Sequence, residues 1–585
     1  FAADTRGGAI LITLRRRRDG GMDGNLQFST VQSNRIAGYT PSGRIGIRTG
    51  RWTLTASGSG SFTPVAESRF TETREQAGQP LPFAGRSDSK SRTNYGRGHF
   101  SAVFDPTPKH TAGFDIEYTE RSTHMPTLSR TTLGQTQSDS RYRQHMDGNT
   151  LTATANYIWK IDTLGSQFKL IADYTRYTSD GDNSYHTTTC APGTLRDSLY
   201  ESATGSVYDI LTADAGLTRK LPHGLTLRAG LRYTRNDMAD KSRYAAQTQG
   251  TWLALPEYSY DQHYTEQIGA AYASLEYSAG RWELSAGLRG EYTSVASQAF
   301  GRSYFGLFPN VSVSRALNAL RTWLLVAQWS RNIERPAFPA LNPARIRISD
   351  YSWQSGNPSL RPTYIHRFSL TAVWKYRYTL TVGGNLHHDL IREIAHRDAT
   401  APDAVYIRPE NHYTENHWFV AASVPAKITR WWNLSVNAVG VMQRIRLNST
   451  DSPATHYLMF ADATCSFTLP AGFFAEAVYR AQSRLYSGNS EVGPRHTLSA
   501  TVKKQLFGKR LTLFCTLSNI TGCDWEFASL TDGMRRTIDT GQAWSGRLWK
   551  VGAAWNFRTG KKFRARTVES AAETQRKRLV KSTEQ

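Results

Sequence analysis

The chain has 585 residues, a formal charge of +23 and a mean hydropathy of -0.50. No apolar run approaches the roughly eighteen residues of a membrane helix, and no linker, coiled coil or charge block divides the chain before residue 560, so composition excludes a helical membrane protein and argues against a string of small domains. Lys and Arg are scattered, with no module interleaving aromatic and basic side chains, so nucleic acid is not expected as a partner despite the charge.

Residues 1–21 stand apart from the rest of the chain. Phe1-Ala2-Ala3-Asp4-Thr5-Arg6-Gly7-Gly8 leads into a short strand expected over Ala9–Leu14, then the basic run Arg15–Arg18 and a Gly-rich step. The segment has no initiator Met, charged n-region or apolar signal core, which reads as a fragment of a longer precursor.

From Gly24 onward, pairs of alternating apolar and polar stretches meet at short turns. In the clearest pair, Tyr272, Leu275 and Tyr277 precede Ser278-Ala279-Gly280-Arg281; on the second arm Trp282, Leu284, Ala286 and Leu288 share one face, and Glu283, Ser285, Arg289 and Glu291 the other. That is the period of two of a half-buried strand. A first strand is expected near Gly24–Val31, with turns at Thr49-Gly50-Arg51, Asp105–Lys109, Ile161–Gly165, Lys220–Gly224, Ser278–Arg281, Ala316–Leu320, Lys375–Tyr378, Pro425–Arg430, Leu469–Gly472 and Leu506–Lys509, and a last strand over Gly546–Phe557. One opening strand, ten hairpins and one closing strand make about twenty-two, an even number in the size class that holds a plugged lumen.

Between the hairpins lie long polar segments, roughly 64–94, 122–148, 178–207, 333–363, 392–415 and 520–545, expected as loops. Short turns at one end and long loops at the other give the fold class: an all-β, antiparallel, up-and-down transmembrane barrel spanning residues 22–557. Trp159, Trp282, Trp323, Trp431 and Trp432 flank the short turns as an interfacial girdle would. The localisation this implies is a Gram-negative outer membrane, with the long loops extracellular and both termini periplasmic. Outer-membrane lipid and lipopolysaccharide are then the natural surroundings of so basic a chain. Residues 558–585 lose the alternation and carry Lys561, Lys562, Arg564, Arg566, Arg576, Lys577, Arg578 and Lys581, which reads as a solvated, basic periplasmic tail.

Phe308-Pro309-Asn310 opens one strand and Ser330-Arg331-Asn332-Ile333-Glu334-Arg335-Pro336 closes its partner; Leu341-Asn342-Pro343 and Gly356-Asn357-Pro358-Ser359-Leu360-Arg361-Pro362 come next. This succession resembles the outer-membrane barrel of TonB-dependent receptors of the Bacteroidetes type, over about 540 residues of barrel. Gly7 to Arg15 looks like the end of that family's plug domain, the remainder of the plug being absent. The resemblance implies capture of a scarce or large solute of siderophore, vitamin, glycan or peptide class, coupling to the TonB complex through the absent plug region, and room for a surface lipoprotein partner. Read from the residues alone, Pro336, Pro343, Pro358 and Pro362 fix backbone angles and remove donors, and Gly356-Asn357 supplies a left-handed turn, so the words shape a stiff loop first. Direct ligand contact by Arg335, Leu341, Asn342 or Leu360 is the alternative.

Asp115, Glu117, Arg228, Arg232, Glu283, Arg289 and Glu291 fall on the inward phase, where they contact a plug or line a solute path. No Ser/His/Asp word, His-Glu-x-x-His pair or phosphate loop occurs, so no catalytic residue, metal site or cofactor is assigned and the chain is not read as an enzyme. His387-His388-Asp389 alternates across a strand, which argues against a joint role. Cys465 and Cys515 lie on the apolar phase, and a Cys515–Cys523 bridge has no support from spacing. Rival readings are a passive porin-like or adhesin-type barrel and, behind them, an outer-membrane hydrolase.

Overall fold

In a computed structural model, which describes residues 20–298, 300–399, 401, 403–522, 524–560 and 568–579, the alternation becomes a wall with two unlike faces. Leu284 and Leu288 are exposed on its outside, while Arg289, Glu291, Thr293 and Val295 of the same strand, Trp282–Ser297, are buried on its inside. Neighbouring barrel strands pair antiparallel, and the last, Leu548–Gly560, returns to the first, Gly21–Gln32, setting Phe557 opposite Gly24. Among the described residues the result is a closed barrel of 22 strands. Closure is what a bilayer demands, because an open edge would leave backbone N–H and C=O groups facing hydrocarbon.

The outward belt has the height of a bilayer. On Trp282–Ser297 it runs from Trp282 to Tyr292, both exposed. Ten residues at about 3.3 Å each, tilted by about 40°, rise roughly 25 Å, the thickness of the apolar band of an outer-membrane barrel. Trp52, Trp159, Trp282, Trp323 and Trp431 are exposed beside the short turns, and Trp323 stacks on Trp374 at 5.7 Å. All ten short turns lie between paired strands where the sequence places them. Cys465 and Cys515 are free thiols on the outward phase, as is the exposed Cys190 near a hairpin tip; Cys523 lies outside the described residues, and the Cys515–Cys523 bridge with it.

At the other end the expected loops are largely strand. Trp52–Gln76 and Gln79–Phe104 are 25 and 26 residues long and meet at Ala77-Gly78; His110–Leu133 pairs with Thr136–Lys160, and Gln167–Ala191 with Thr194–Lys220, in the same manner. Positive φ at Ala77 and Gly78, at Gln249 and Gly250, and at Asp532 and Gly533 marks the tight turns that match the twist of paired strands. The segments looked like loops because they stand above the membrane, where water meets both faces and the apolar alternation lapses while backbone pairing continues. Trp525–Thr531 and Met534–Gly541 join this crown as a hairpin whose second strand pairs with the upper half of Trp52–Gln76.

Residues 1–19, with the strand expected over Ala9–Leu14, lie outside the described residues. The C-terminal segment 568–579, expected as a solvated tail, is inside the barrel instead: Ala571, Ala572, Gln575 and Arg578 are buried against the inner wall. The wall offers inward carboxylates and amides that satisfy this polar segment better than its composition alone suggests. Lys561, Lys562, Arg564, Arg566 and Lys581 fall outside the described residues.

Candidate functional site: the lumen and its inturned loop

The inner wall is built from paired charges. On one side His99 Nε2 meets Asp115 at 2.7 Å and Arg97 meets Glu117. On the other, Arg232 Nε donates to Asp214 at 2.8 Å and Arg228 pairs with Glu276. Glu283 keeps the inward phase near the Gly280-Arg281 turn, opposite Ser278 and Ser314, and is exposed to the lumen. Arg289 Nε donates to Glu291 at 2.6 Å. The seven inward residues are therefore on the lumen face, but six of them divide among five separate ion pairs, that of Arg289 with Glu291 lying within one strand, and Glu283 stands near the turn.

Glu291 is also reached by the loop between Trp323–Glu334 and Thr363–Trp374. The loop's prolines supply no N–H for a ladder, and it folds back into the lumen, keeping only the short pairing of Ser352–Gln354 with Ile346–Ser349 and, in parallel, with Val405–Ile407. Arg335 Nη2 donates to Glu291 at 2.7 Å and to the Thr293 hydroxyl at 3.0 Å, and its Nε lies 3.9 Å from Glu266. Pro336 is buried beside it, and the short helix Phe338–Leu341 comes next. Phe338, Leu341 and Leu360 then pack on Tyr208, Ile210, Met238, Tyr264 and Val295 of the inner wall, with Phe338 edge-on to Tyr208 at 5.8 Å. An apolar cluster thus lies inside the barrel, where alternation alone predicts water.

Asn342 holds the loop at a second point. Its Oδ1 accepts from the Tyr260 hydroxyl at 2.6 Å and from the Ala344 N–H at 2.8 Å, and its Nδ2 donates to Asp240 at 2.9 Å. Asp240 stands on the strand Leu225–Thr248, above the outward belt that ends at Tyr233 and Arg235. Burial raises its carboxyl, and the hydroxyls of Ser206 and Tyr208 with the Asn342 amide offset only part of that rise. Pro343, next in the chain, is half-buried. The Gly356 N–H donates to the Asn342 carbonyl at 3.0 Å, and a Cβ at Gly356 would collide with that carbonyl. Asn357 Nδ2 donates to the Pro409 carbonyl at 3.0 Å and its Oδ1 caps Ser359 N–H at 3.1 Å. Pro358 is half-buried, while Leu360 and Pro362 are buried, and the Leu360 carbonyl accepts from Arg302 at 2.6 Å.

A third attachment lies higher. Arg347 Nη2 donates to Asp350 at 2.5 Å, and Asp350 accepts from Ser140 at 2.7 Å and the Tyr142 hydroxyl at 2.8 Å. The guanidinium lies within 5.7–6.0 Å of the rings of Tyr142 and Tyr185, a cation–π arrangement. Across the lumen, Glu415 accepts from Arg392 at 3.0 Å and Gln443 at 2.8 Å and meets His417 at 2.8 Å.

Phase alone could not identify Glu266, Asp240 or Phe338. Glu266 sits between the inward Tyr264 and Ile268 and reads as an ordinary polar position; Phe338 lies in a proline-rich loop with no period. His387 faces the lumen, its Nδ1 2.7 Å from the Glu415 carbonyl, whereas His388 is exposed. Among the described residues no three His, Cys, Asp or Glu side chains are placed to hold a metal ion. The arrangement lines the lumen with charged and hydroxyl groups able to bind a polar solute, beside the inturned loop.

Comparison with known proteins agrees with this architecture. A model of an outer membrane protein beta-barrel family matches residues 159–550. Among solved structures, the siderophore receptor PirA from Pseudomonas aeruginosa matches with a TM-score of 0.55 at 12% identity, covering 93% of this chain and 81% of that one. A mutant of the ferric enterobactin receptor PfeA from Pseudomonas aeruginosa, in complex with enterobactin, matches with a TM-score of 0.57 at 14% identity, over 92% and 81%. The copper transporter OprC matches with a TM-score of 0.60 at 11% identity, over 93% and 81%. At such identities the likeness is one of fold. No curated protein matches the sequence.

Proposed function

Because the chain belongs to the outer membrane protein beta-barrel family, we propose that it is the barrel of a receptor that takes up a large or scarce solute through its lumen. The supporting observation is the inturned loop, with Phe338, Leu341 and Leu360 packed inside the barrel on residues of the inner wall. An ordered apolar cluster held in the lumen by Arg335 and Asn342 narrows the path and suits a specific solute better than free diffusion. In this reading the crown faces outward and captures ligand, the short turns face the periplasm, and residues 1–21 end a plug through which the TonB complex supplies energy. The likeness in fold to siderophore receptors and a copper transporter favours a scarce, specifically bound solute, of siderophore, vitamin, glycan or peptide class. Lipopolysaccharide surrounds the basic crown, and a surface lipoprotein would have the tall hairpins to rest on.

The test is growth of a deletion strain on single iron, vitamin, glycan and peptide sources. A defect confined to one class, restored by the full-length gene, is the expected outcome. Normal growth on every source, together with a permanently open conductance of the purified chain in planar bilayers, would favour a porin instead.

A further inference from the structure

Residues 568–579 run along the inner wall from its lower half to the inturned loop. Val568 lies against Gly113. Lys169 Nζ meets Glu569 at 2.7 Å, and the Ala571 N–H donates to Asp173 Oδ2 at 2.7 Å. Asn236 Nδ2 donates to Gln575 Oε1 at 3.3 Å. Arg578 makes the last contact: Nη1 donates to Glu266 at 2.5 Å and to Gln575 Oε1 at 2.8 Å, and Nε donates to the Pro336 carbonyl at 2.9 Å. Its guanidinium carbon lies 4.2 Å from the centre of the Phe338 ring, and Leu579 joins the apolar cluster of the inturned loop.

These contacts differ from random filling in two respects. The wall groups that receive the segment are closed off from water with it in place, Asp173 at 1%, Asn236 at 0% and Glu266 at 2% exposure. Asp173 also divides its oxygens, Oδ1 taking the Thr154 hydroxyl at 2.6 Å and Oδ2 the segment. Yet the attachment is not that of a permanent strut. Arg578 meets Glu266, which lies 3.9 Å from Arg335, beside the Glu291 that pairs with Arg335 and Arg289, and its Nη2 is buried without a hydrogen-bond partner. A buried donor left without a partner weakens the hold of the segment on the wall.

We propose that residues 568–579 are a tethered, displaceable stopper of the lumen, and that the wall from Asp173 to Glu266 is a binding track for an arginine-bearing peptide segment, latched where Glu266, the Pro336 carbonyl and Phe338 receive a guanidinium. The proposal rests on the lumen being the solute path, as in the function proposed above. It assigns this stretch of wall a ligand class and makes the inturned loop and the C-terminal segment one joint obstruction.

The experiment pairs Asn236→Cys with Gln575→Cys in the full chain, in a background with the native cysteines replaced by serine, and reads disulfide formation by gel mobility. Circular dichroism first verifies a folded barrel. In parallel, the full chain, a variant ending at Gly560 and Arg578→Ala are compared for conductance in planar bilayers, and a synthetic peptide of residues 568–579 is added to the shortened variant. The expected result is efficient cross-linking, higher conductance for the shortened variant, and block by the peptide that weakens roughly tenfold with Arg578→Ala, the loss of a charge-assisted hydrogen bond. No cross-link in a folded barrel would overturn the placement. Cross-linking with equal conductance of full and shortened chains, or with no block by peptide, would overturn the stopper. Neither result depends on which solute supports growth, so the two proposals fail separately.

Discussion

Arg335 touches two buried carboxylates of the lumen: Glu291 at 2.7 Å and, more distantly, Glu266 at 3.9 Å. Removing one partner of a buried ion pair costs about 3–5 kcal/mol because the other charge is left uncompensated. Arg335→Ala is therefore expected to free the inturned loop while the barrel stays folded, and limited proteolysis should then cut within residues 336–362, where the parent chain resists. Equal resistance in both proteins would show that the apolar cluster holds the loop unaided. Arg289 and Glu291 could be assigned to the lumen from strand phase. Glu266 could not be matched to Arg578, since 312 residues separate them and neither carries a local signal of the other.

The inturned loop owes its shape to close backbone approach as well as to ion pairs. Gly356 lies against the carbonyls of Ala340 and Asn342, leaving no room for a side chain. Gly356→Ala should displace the Phe338–Leu341 helix from the wall, read as raised conductance with unchanged β-sheet circular dichroism; an unchanged conductance would place the obstruction elsewhere. The proline words were legible as a rigid loop because proline cannot donate to a ladder. That the loop turns inward was not, because no local rule says which side of a closed sheet a loop falls on.

The crown has its own tie. Arg536 Nη2 and Arg74 Nε each donate to Glu72 at 2.8 Å, and Arg536 also reaches the Ser352 hydroxyl at 3.1 Å. Burial alone would raise the Glu72 carboxyl, but Arg536 and Arg74 overcome it and hold it below its ordinary value of 4.5. A depressed carboxylate stabilises the fold above its unfolded value, and that contribution is lost as pH falls through the folded one. Hydrogen exchange in Met534–Gly541 should accordingly rise only when the pH drops below about 4.5, and Glu72→Gln should remove that dependence. A persistent pH response in the variant would assign it to another group.

For the whole molecule the decisive contrast is between Leu288, half exposed on the outside, and Arg289, 5% exposed on the inside. Leu288 lies near the middle of the belt between Trp282 and Tyr292, where an arginine facing lipid costs about 2–4 kcal/mol. Leu288→Arg should lower the denaturant midpoint for unfolding from lipid vesicles by a corresponding amount, while Glu283→Arg, on the lumen face, should change it little. Similar losses for both would contradict the assigned faces.

The strand period and the turn residues by themselves determined the barrel, its strand number and which side chains meet lipid, because a period of two and a short turn are local properties that a bilayer makes obligatory. The same logic failed above the membrane, where water on both faces removes the alternation while the hydrogen-bonded ladder goes on. Only the tertiary structure decided what fills the lumen: the inturned loop, the C-terminal segment and the carboxylates that receive them. Those contacts join residues hundreds of positions apart across a closed cylinder, and complementarity over such distances leaves no trace in neighbouring residues.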